Sequence, residues 1–386
     1  MKIGIDARIV TSKNSGLVIY VKSLIMHLAT RKNIELYLYC NTRYQEVFSF
    51  LKNNPNVHLR VVYFNNHFLH ISNFIYEMVF FAKIINRDNL DLFHNPIGYG
   101  LPSGIKTRKI LLTIHDVIPL YDYDELSILQ KQIYKLSLGI SIKFASKIVA
   151  ISNFTKKEIL QKYSNVDENK ISVIYNGFEN LSKTANLNLT FADLKRKLAL
   201  RSKYILYIGS ATKRKNLLNL TKAFIELKKM YHAPHQLVLV SKMDRKQTLK
   251  VYLKIKTYLE QASLEKEVIF AGYLEDREKA AMINCCDFFV FPSIYEGFGL
   301  PILEAMSFEK AVLCSNIPIF KEICEDSAYY FDPYDIDSIC KSMVMLINDE
   351  QLKIKVGQAG KKRSKFFSWE KMADEYNKIY RNILKG

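Results

Sequence analysis

Two glutamates, Glu296 and Glu304, lie close together in a segment that also contains Gly297, Gly299 and Pro301. The segment follows a short apolar run typical of a buried strand, and Pro301 suits the first turn of a helix. The glycines let a ligand approach the backbone, and a helix start presents unpaired N–H groups to an anion or a hydroxyl cluster. Because carboxylates accept hydrogen bonds from paired hydroxyls, the segment predicts binding of a sugar or ribose. The alternative is a capped helix with two solvent-facing glutamates.

A basic turn, Lys213-Arg214-Lys215, follows another short apolar run, Tyr204–Ile208. Cations placed there would stabilise a phosphate group that gains negative charge as it leaves. His115 follows a third run, Ile110–Ile114, and so lies at the end of another predicted strand. The alternatives are a solvated basic turn and a structural histidine.

These residues follow strands of two predicted parallel sheets. Short apolar runs alternate with helical patterns, which is typical of doubly wound α/β domains. One series precedes residue 180, the other follows residue 200, and a helix is predicted near 191–200. Ligands of such sheets bind outside the carboxyl ends of the strands, where the candidate residues lie. The predicted strands of the second series are Tyr204–Ile208, Leu237–Val240, Val268–Ala271, Phe288–Phe291, Ala311–Cys314 and Tyr329–Phe331.

Length and composition are those of a globular protein with two or three domains: 386 residues, 49% hydrophobic and 24% charged. The start lacks the long apolar region of a signal peptide, and no run of 18 uncharged apolar residues occurs, so neither secretion nor a membrane span is expected. The six cysteines show no CxxC spacing and are predicted to be buried, reduced thiols. Two histidine pairs at a spacing of three residues, His67/His70 and His232/His235, lack carboxylate or cysteine partners in a metal-ligand pattern, and no metal site is predicted.

The formal charge of +18 is spread over both halves of the chain and favours an anionic partner. Nucleic acid, anionic lipid headgroups and a phosphorylated small molecule all fit this charge. Nucleic acid is the weakest of the three because the sequence shows no helix-turn-helix, zinc finger or clustered basic stripe. The aromatic-rich stretch between residues 65 and 86 is interpreted either as core or as a surface that rests on a membrane and meets a lipid-linked acceptor. Its aromatic residues include Phe68, Phe74, Tyr76, Phe80 and Phe81.

The segment from Phe291 to Ser307 resembles the E-x7-E motif of the retaining glycosyltransferases of family 4. The family has the GT-B fold, an α/β fold of two facing Rossmann-like domains, each a doubly wound parallel sheet, with an interdomain cleft. The resemblance implies an acceptor-binding domain over 1–180, a nucleotide-sugar-binding domain over 200–367, and a helix over 368–386 that packs back on the first domain. Other segments that carry the resemblance are Gly4–Arg8, His115–Pro119, Ile151–Thr155, Val173–Gly177, Tyr207–Gly209, Arg214–Asn216, Gly272–Leu274, Ser315–Pro318 and Phe367–Trp369.

The resemblance also implies roles for the candidate residues. Glu304 would bind the ribose hydroxyls, and Glu296 would contact hydroxyls of the donor sugar. Lys215, with Arg214 beside it, would neutralise the diphosphate, and His115 would stabilise positive charge at the anomeric carbon. Glu296, Lys215 and His115 are therefore the predicted catalytic residues. The other implied donor-binding residues are Gly16, Gly209, Gly297, Phe298, Gly299 and Leu300.

Two positions depart from the family pattern. The segment around Gly16 has Val18 and Ile19 where related sequences have a glycine and a basic residue, and Ser210 stands where many members have arginine. These departures leave the contacts to the donor phosphates open. They do not affect the predicted fold.

The function implied is that of a retaining, metal-independent hexosyltransferase without a further cofactor. It would move a sugar, with mannose as a candidate, from a GDP- or UDP-linked donor to a glycan or lipid-linked acceptor. The product would be a cell-surface polysaccharide such as lipopolysaccharide or capsule. A cytoplasmic location with peripheral contact to the inner membrane face is expected. The alternatives are a nucleotide-sugar epimerase of the same fold and a basic nucleic-acid-binding protein.

Overall fold

The computed structural model describes residues 1–11, 15–62, 80–107, 109–121, 126–184, 186–201, 203–242 and 245–385, without the side chains of 43–45. The chain divides into two compact units, Met1–Gly177 with Phe367–Gly386, and Phe178–Phe366. Both the first and the last helix therefore belong to the first unit. Among the described residues, no helix is both long enough and apolar enough to cross a membrane.

The described part of the first unit contains a sheet of seven parallel strands in the order β3-β2-β1-β4-β5-β6-β7. Strands β4 and β5 are buried along their whole length, as expected for strands covered on both faces of a parallel sheet. The order reverses between β1 and β4, the position where doubly wound sheets bind ligands. The strands are β1 Lys2–Asp6, β2 Glu35–Asn41, β3 Val57–Val62, β4 Leu92–Asn95, β5 Ile110–Ile114, β6 Lys147–Ala150 and β7 Ile171–Val173.

The described part of the second unit contains six parallel strands in the order β10-β9-β8-β11-β12-β13. Here the order reverses between β8 and β11, whose residues are all buried. The loops that leave these two strands therefore share the edge at which a ligand is expected. The strands are β8 Tyr204–Ile208, β9 Gln236–Val240, β10 Val268–Phe270, β11 Phe288–Phe291, β12 Val312–Ser315 and β13 Tyr329–Phe331.

Helices connect the strands, as expected for crossovers between parallel strands. An additional helical stretch covers residues 80–85. The helices are α1 Gly16–Leu28, α2 Ile128–Phe144, α3 Asn153–Lys162, α4 Leu187–Lys197, α5 Leu217–Tyr231, α6 Lys246–Ala262, α7 Asp276–Cys285, α8 Leu300–Ser307, α9 Pro318–Cys324, α10 Ile336–Asn348, α11 Glu350–Ser364 and α12 Trp369–Lys385.

The C-terminal helix α12 packs against α1 and is held by a buried hydrogen-bonded network. The Tyr20 hydroxyl donates to the Tyr376 hydroxyl at 2.7 Å, and Thr113 Oγ1 lies 2.9 Å from the same oxygen. His94 lies between Thr113 and Tyr380, with one ring nitrogen 2.8 Å from each hydroxyl. Burial lowers the pKa of His94 to about 3, so its ring is neutral. Because an unpaired buried hydroxyl is costly, the network favours one position of α12 on the sheet.

The aromatic stretch between residues 65 and 86 is described only from Phe80 onwards. Phe81 is buried and packs edge-on against Tyr39 and Phe93, so at this residue the core interpretation is confirmed. Phe80 is exposed, with the Lys83 ammonium 5.1 Å from its ring centroid. The remaining aromatic residues of the stretch lie outside the described residues.

Candidate active site

The basic turn and the first glutamate meet at the carboxyl edge of the second sheet. Arg214 and Lys215 lie in a 3-10 turn after β8, and Glu296 lies in the loop after β11. The two loops are joined by a backbone hydrogen bond, in which the Ile294 N–H donates to the Arg214 carbonyl at 2.8 Å. The neighbouring positions of β8 and β11 thus bring together charges that lie about eighty residues apart in the chain.

Both cations bind the Glu296 carboxylate. Lys215 Nζ contacts Oε1, and Arg214 Nη1 lies 2.7 Å from Oε2 and donates to the Tyr295 carbonyl at 3.1 Å. Glu296 and Lys215 are buried, so these ion pairs lie in a low-dielectric environment. Burial raises the pKa of Glu296, but Lys215 and Arg214 more than offset this effect and bring it to about 2. Glu296 is therefore an anion at neutral pH and a hydrogen-bond acceptor only.

The pKa of Lys215 is low for a lysine. Burial lowers the pKa of its ammonium group to about 8, against the stabilising charge of Glu296, and the neighbouring Arg214 lowers it further. The ammonium also lies 4.7 Å from the centroid of the Phe291 ring, a cation–π contact. Lys215 is thus charged at neutral pH and loses its charge as the pH rises above about 8.

Glu304 lies in α8 and is buried, which excludes the interpretation of two solvent-facing glutamates. Lys279 of α7 reaches it, with Nζ 3.2 Å from Glu304 Oε1 and 3.2 Å from Asp276 Oδ1. Burial raises the pKa of Glu304, and the Lys279 charge opposes this effect. Lys279 was missed by the sequence analysis because it lies on another helix. Its position directly before the apolar run Ala280–Ile283 was the one sign that it is partly buried.

The loop between the two glutamates has the backbone conformation that its glycines permit. Gly299 has a φ of 114° and lies directly before α8, whose second residue is Pro301. Phe298 is buried, and Gly297, Phe298 and Gly299 lie between Glu296 and Leu300, the first residue of α8. The first N–H groups of α8 are therefore separated from the buried carboxylate by three residues, and the helix begins near Pro301, as predicted.

Gly209 directly follows β8, as predicted, and packing against Tyr207 favours a glycine there. A Cβ atom at this position would lie 2.5 Å from the Tyr207 hydroxyl, which donates to the Ser210 carbonyl. The contact of Gly209 with a donor stays a prediction.

His115 and Gly16 lie in the first unit, apart in the chain from the glutamates. His115 directly follows β5, and its Nε2 lies 2.9 Å from the Pro96 carbonyl. Since a carbonyl only accepts, Nε2 carries the proton and Nδ1 is the acceptor of the ring. Burial lowers the pKa of His115 to about 4, so the ring is neutral at pH 7, and the Tyr20 ring packs edge-on against it at 4.4 Å. Gly16 is the exposed first residue of α1.

Comparison with known protein families assigns the class of this molecule. Residues 14–179 match the family described as Glycosyltransferase Family 4, and residues 190–363 match Glycosyl transferases group 1. The two matches together leave only the ends of the chain and a short linker uncovered, and the molecule is a glycosyltransferase. The chain belongs to the family 4 glycosyltransferases, with a second half of the group 1 type.

Individual relatives are similar over much of the chain. O-antigen chain mannosyltransferase B of Escherichia coli is 27% identical over 300 residues, which is 76% of this chain and 75% of that protein. O-antigen chain mannosyltransferase RfbU of Salmonella typhimurium is 30% identical over 229 residues, 59% of this chain and 58% of RfbU. The crystal structure of Anabaena HepE with UDP and glucose matches with a TM-score of 0.74 at 18% identity, over 98% of this chain and 99% of HepE. The predicted GT-B fold class is confirmed.

Proposed function

We propose that this glycosyltransferase moves a sugar from a nucleoside diphosphate sugar to a glycan or lipid-linked acceptor during synthesis of a cell-surface polysaccharide. The observation that carries the proposal is that Arg214 and the buried Lys215 both bind the buried Glu296, in the loop that precedes α8. Two cations stabilise the charge that a diphosphate gains as it leaves. The similarity to O-antigen mannosyltransferases supports mannose as the sugar and lipopolysaccharide as the product.

The residues of the second unit would divide the donor between them. Lys215 and Arg214 would bind the diphosphate, and the ionised oxygens of Glu296 would accept hydrogen bonds from the sugar hydroxyls. Glu304 would accept from the ribose hydroxyls, with Lys279 favouring its charged form. The N–H groups between Gly297 and Leu300, and the backbone at Gly209, would complete the donor contacts of this unit. A donor contact at Gly16 stays a prediction.

The reaction proposed is retaining and independent of a metal. Glu296, with a pKa of about 2, is not a proton donor at neutral pH, and both its oxygens bind cations, which does not favour a role as nucleophile. A reaction on one face of the sugar, without a covalent intermediate on the protein, agrees with this arrangement. The neutral His115 would stabilise positive charge at the anomeric carbon. Arg214 and Lys215 would supply the phosphate neutralisation that a divalent ion supplies in other enzymes.

The donor nucleotide is tested by thermal unfolding with UDP, GDP, ADP and dTDP. At about 100 times its Kd, a nucleotide that binds the native state adds about 2.7 kcal/mol, or roughly 5–10 °C in Tm. We expect GDP or UDP to produce this shift in the wild type, and Glu304→Ala to remove most of it. Glu260→Ala, at an exposed glutamate of the same unit, should respond like the wild type. No shift with any nucleotide, or an unchanged shift in Glu304→Ala, would contradict the donor site.

The stereochemistry and the metal requirement of the transfer reaction are tested with a sugar donor that carries the nucleotide identified by thermal unfolding. We expect the anomeric proton of the new linkage to show, by NMR coupling, the same configuration as the donor sugar. The rate should be unchanged after dialysis against a chelator, because two side-chain cations replace the metal. An inverted product would refute the retaining mechanism. A rate that is lost on chelation and restored by a divalent ion would refute metal independence.

A further inference from the structure

Glu296 binds, through both of its carboxylate oxygens, the two cations that the proposed function assigns to the diphosphate. Lys215 Nζ contacts Oε1, and Arg214 Nη1 lies 2.7 Å from Oε2. The side chains of Glu296 and Lys215 are 10% and 9% exposed, and that of Arg214 is 19% exposed. A diphosphate that binds Arg214 and Lys215 therefore competes with the Glu296 carboxylate for the same N–H donors.

The backbone around these three side chains keeps the carboxylate beside the cations. The Ile294 N–H donates to the Arg214 carbonyl at 2.8 Å, and Arg214 Nη1 donates to the carbonyl of the buried Tyr295 at 3.1 Å. These hydrogen bonds join the loop that carries Glu296 to the turn that carries Arg214 and Lys215. The exchange of partners that a diphosphate requires is therefore an exchange of side-chain contacts and not a movement of the loop.

A buried carboxylate that gives up its cations needs other partners. Burial raises the pKa of Glu296, and Lys215 and Arg214 bring it down to about 2, so the ionised form depends on these two neighbours. Without them its charge would lie unpaired in a medium of low dielectric constant, which is costly. Sugar hydroxyls can replace the cations, because each hydroxyl donates a hydrogen bond to a carboxylate oxygen.

A free nucleoside diphosphate cannot compensate Glu296 in this way. It lacks the sugar and its hydroxyls, so the carboxylate that has lost its cations receives no donors in return. Its terminal phosphate also carries additional negative charge at neutral pH, since the second phosphate pKa is about 6. Like charges close together in a buried site repel each other, and the free diphosphate is therefore the less favourable ligand of the two.

We propose that Glu296 and the donor exchange partners, so that the site distinguishes a diphosphate that carries a sugar from one that does not. The inference rests on the proposed function and gives Glu296 a second task, specificity for the intact donor against the nucleoside diphosphate product. When the donor binds, Lys215 and Arg214 pass to the diphosphate, and sugar hydroxyls bind the carboxylate oxygens. After transfer of the sugar, the carboxylate regains its cations, which favours release of the product.

Glu304 provides an internal comparison for this role. It is also buried, but its cation is Lys279, whose Nζ lies 3.2 Å from Glu304 Oε1 and which is not among the cations assigned to the diphosphate. The ribose hydroxyls that Glu304 would bind are present in the donor and in the product alike. A loss at Glu304 should therefore weaken both ligands by the same factor.

The test is titration calorimetry of the wild type, Glu296→Gln and Glu304→Gln with two ligand pairs, GDP with GDP-mannose and UDP with UDP-glucose. The titrations are made at about pH 6.5, below the pKa of Lys215 and above the second ionisation of the free diphosphate. For the base that the wild type binds, Glu296→Gln should bind the free diphosphate about tenfold more tightly and the sugar conjugate about tenfold more weakly. Each change corresponds to roughly one hydrogen bond to a charged group. Glu304→Gln should weaken both ligands and leave the ratio of their Kd values unchanged.

The charge of Lys215 is controlled separately. Burial lowers the pKa of Lys215 and the Glu296 charge opposes this effect, so Glu296→Gln lowers that pKa further. The titrations are therefore repeated with Lys215→Arg and Lys215→Arg/Glu296→Gln, in which a guanidinium keeps its charge. The opposite shifts of the free diphosphate and the sugar conjugate should persist between these two variants.

Equal weakening of both ligands in Glu296→Gln, or an unchanged affinity for the free diphosphate, would overturn the proposal, since the carboxylate would then only order the cations. A second measurement uses the wild type alone and does not depend on the folding of a variant. At least one monodeoxy form of the sugar conjugate should bind about tenfold more weakly than the parent conjugate, and full affinity of every monodeoxy form would also overturn the proposal. If the wild type binds no nucleotide at all, the donor site itself is refuted, a result distinct from nucleotide binding that does not respond to Glu296.

Discussion

Replacing Lys215 by alanine is expected to lower kcat by about 10²–10³, the effect of removing one preorganised group that stabilises charge in the transition state. Of the two cations that bind Glu296, the variant would keep only Arg214. The leaving diphosphate would then be stabilised by one cation fewer. Lys213→Ala provides the matched control, since Lys213 belongs to the same turn but is exposed. Steady-state kinetics with the donor identified by nucleotide binding should show a nearly normal kcat for the control.

The pH dependence of kcat/KM distinguishes the loss of the Lys215 charge from a loss of packing at this position. Lys215 is protonated below its pKa of about 8, so kcat/KM should be full below that pH and fall as the pH rises through it. Since kcat/KM reports ionisations of the free enzyme, the unliganded state is the relevant one. Lys215→Arg should be slower, because a guanidinium has a different geometry, but its charge persists and the alkaline fall should vanish. An identical fall in wild type and Lys215→Arg would show that another group titrates.

The strands could be predicted from the sequence because they are buried on both faces. The runs Tyr204–Ile208 and Phe288–Phe291, buried throughout, have the bounds that their apolar residues indicate. The edge strand Tyr329–Phe331 also has the predicted bounds, although its first two residues are only partly buried. Where polar residues enter a buried strand, the bounds shift. The run predicted as Ala311–Cys314 is the strand Val312–Ser315, because Ser315 pairs with Phe331 of the next strand.

Helix bounds depended on local backbone conformation that composition does not reveal. The helix predicted near residues 191–200 runs from Leu187 to Lys197. It begins after Asn186, which has a left-handed conformation, and it ends before Leu198, which leaves the helical region. The apolar residues near 200 extended the prediction beyond the true end, although Leu200 is buried in its own right.

The sequence indicates candidate residues for a site, but it does not indicate the ion pairs that these residues make. Glu296, Glu304 and Lys215 were selected for their residue types and their positions after strands. Which cation meets which carboxylate depends on strand order, which places the loops after β8 and β11 side by side. Lys279 shows the same limit, because its contact with Glu304 is made between two helices that the sequence does not pair.

Replacing Gly177 by alanine is expected to lower the free energy of unfolding of the first unit by more than about 3 kcal/mol, at the upper end of the effect of overpacking. Gly177 is buried where the first part of the unit meets the start of α12. A Cβ atom there would lie 2.1 Å from the Trp369 backbone nitrogen and 2.5 Å from the Ser368 carbonyl carbon. Neither atom can rotate away, and the Tyr376 and Tyr380 hydrogen bonds oppose a shift of the helix.

Trp369 makes this prediction directly measurable, because it is the single tryptophan of the chain and is buried. Its fluorescence should report a lower urea midpoint in Gly177→Ala and a red-shifted native emission. Gly139→Ala is the control, since its Cβ would meet only the Tyr163 ring at 3.3 Å. Alanine also has a higher helix propensity than glycine at this position within α2. That variant should unfold within about 1 kcal/mol of the wild type. If Gly177→Ala unfolds like the control, the start of α12 moves freely and the hydrogen-bonded network does not fix its position.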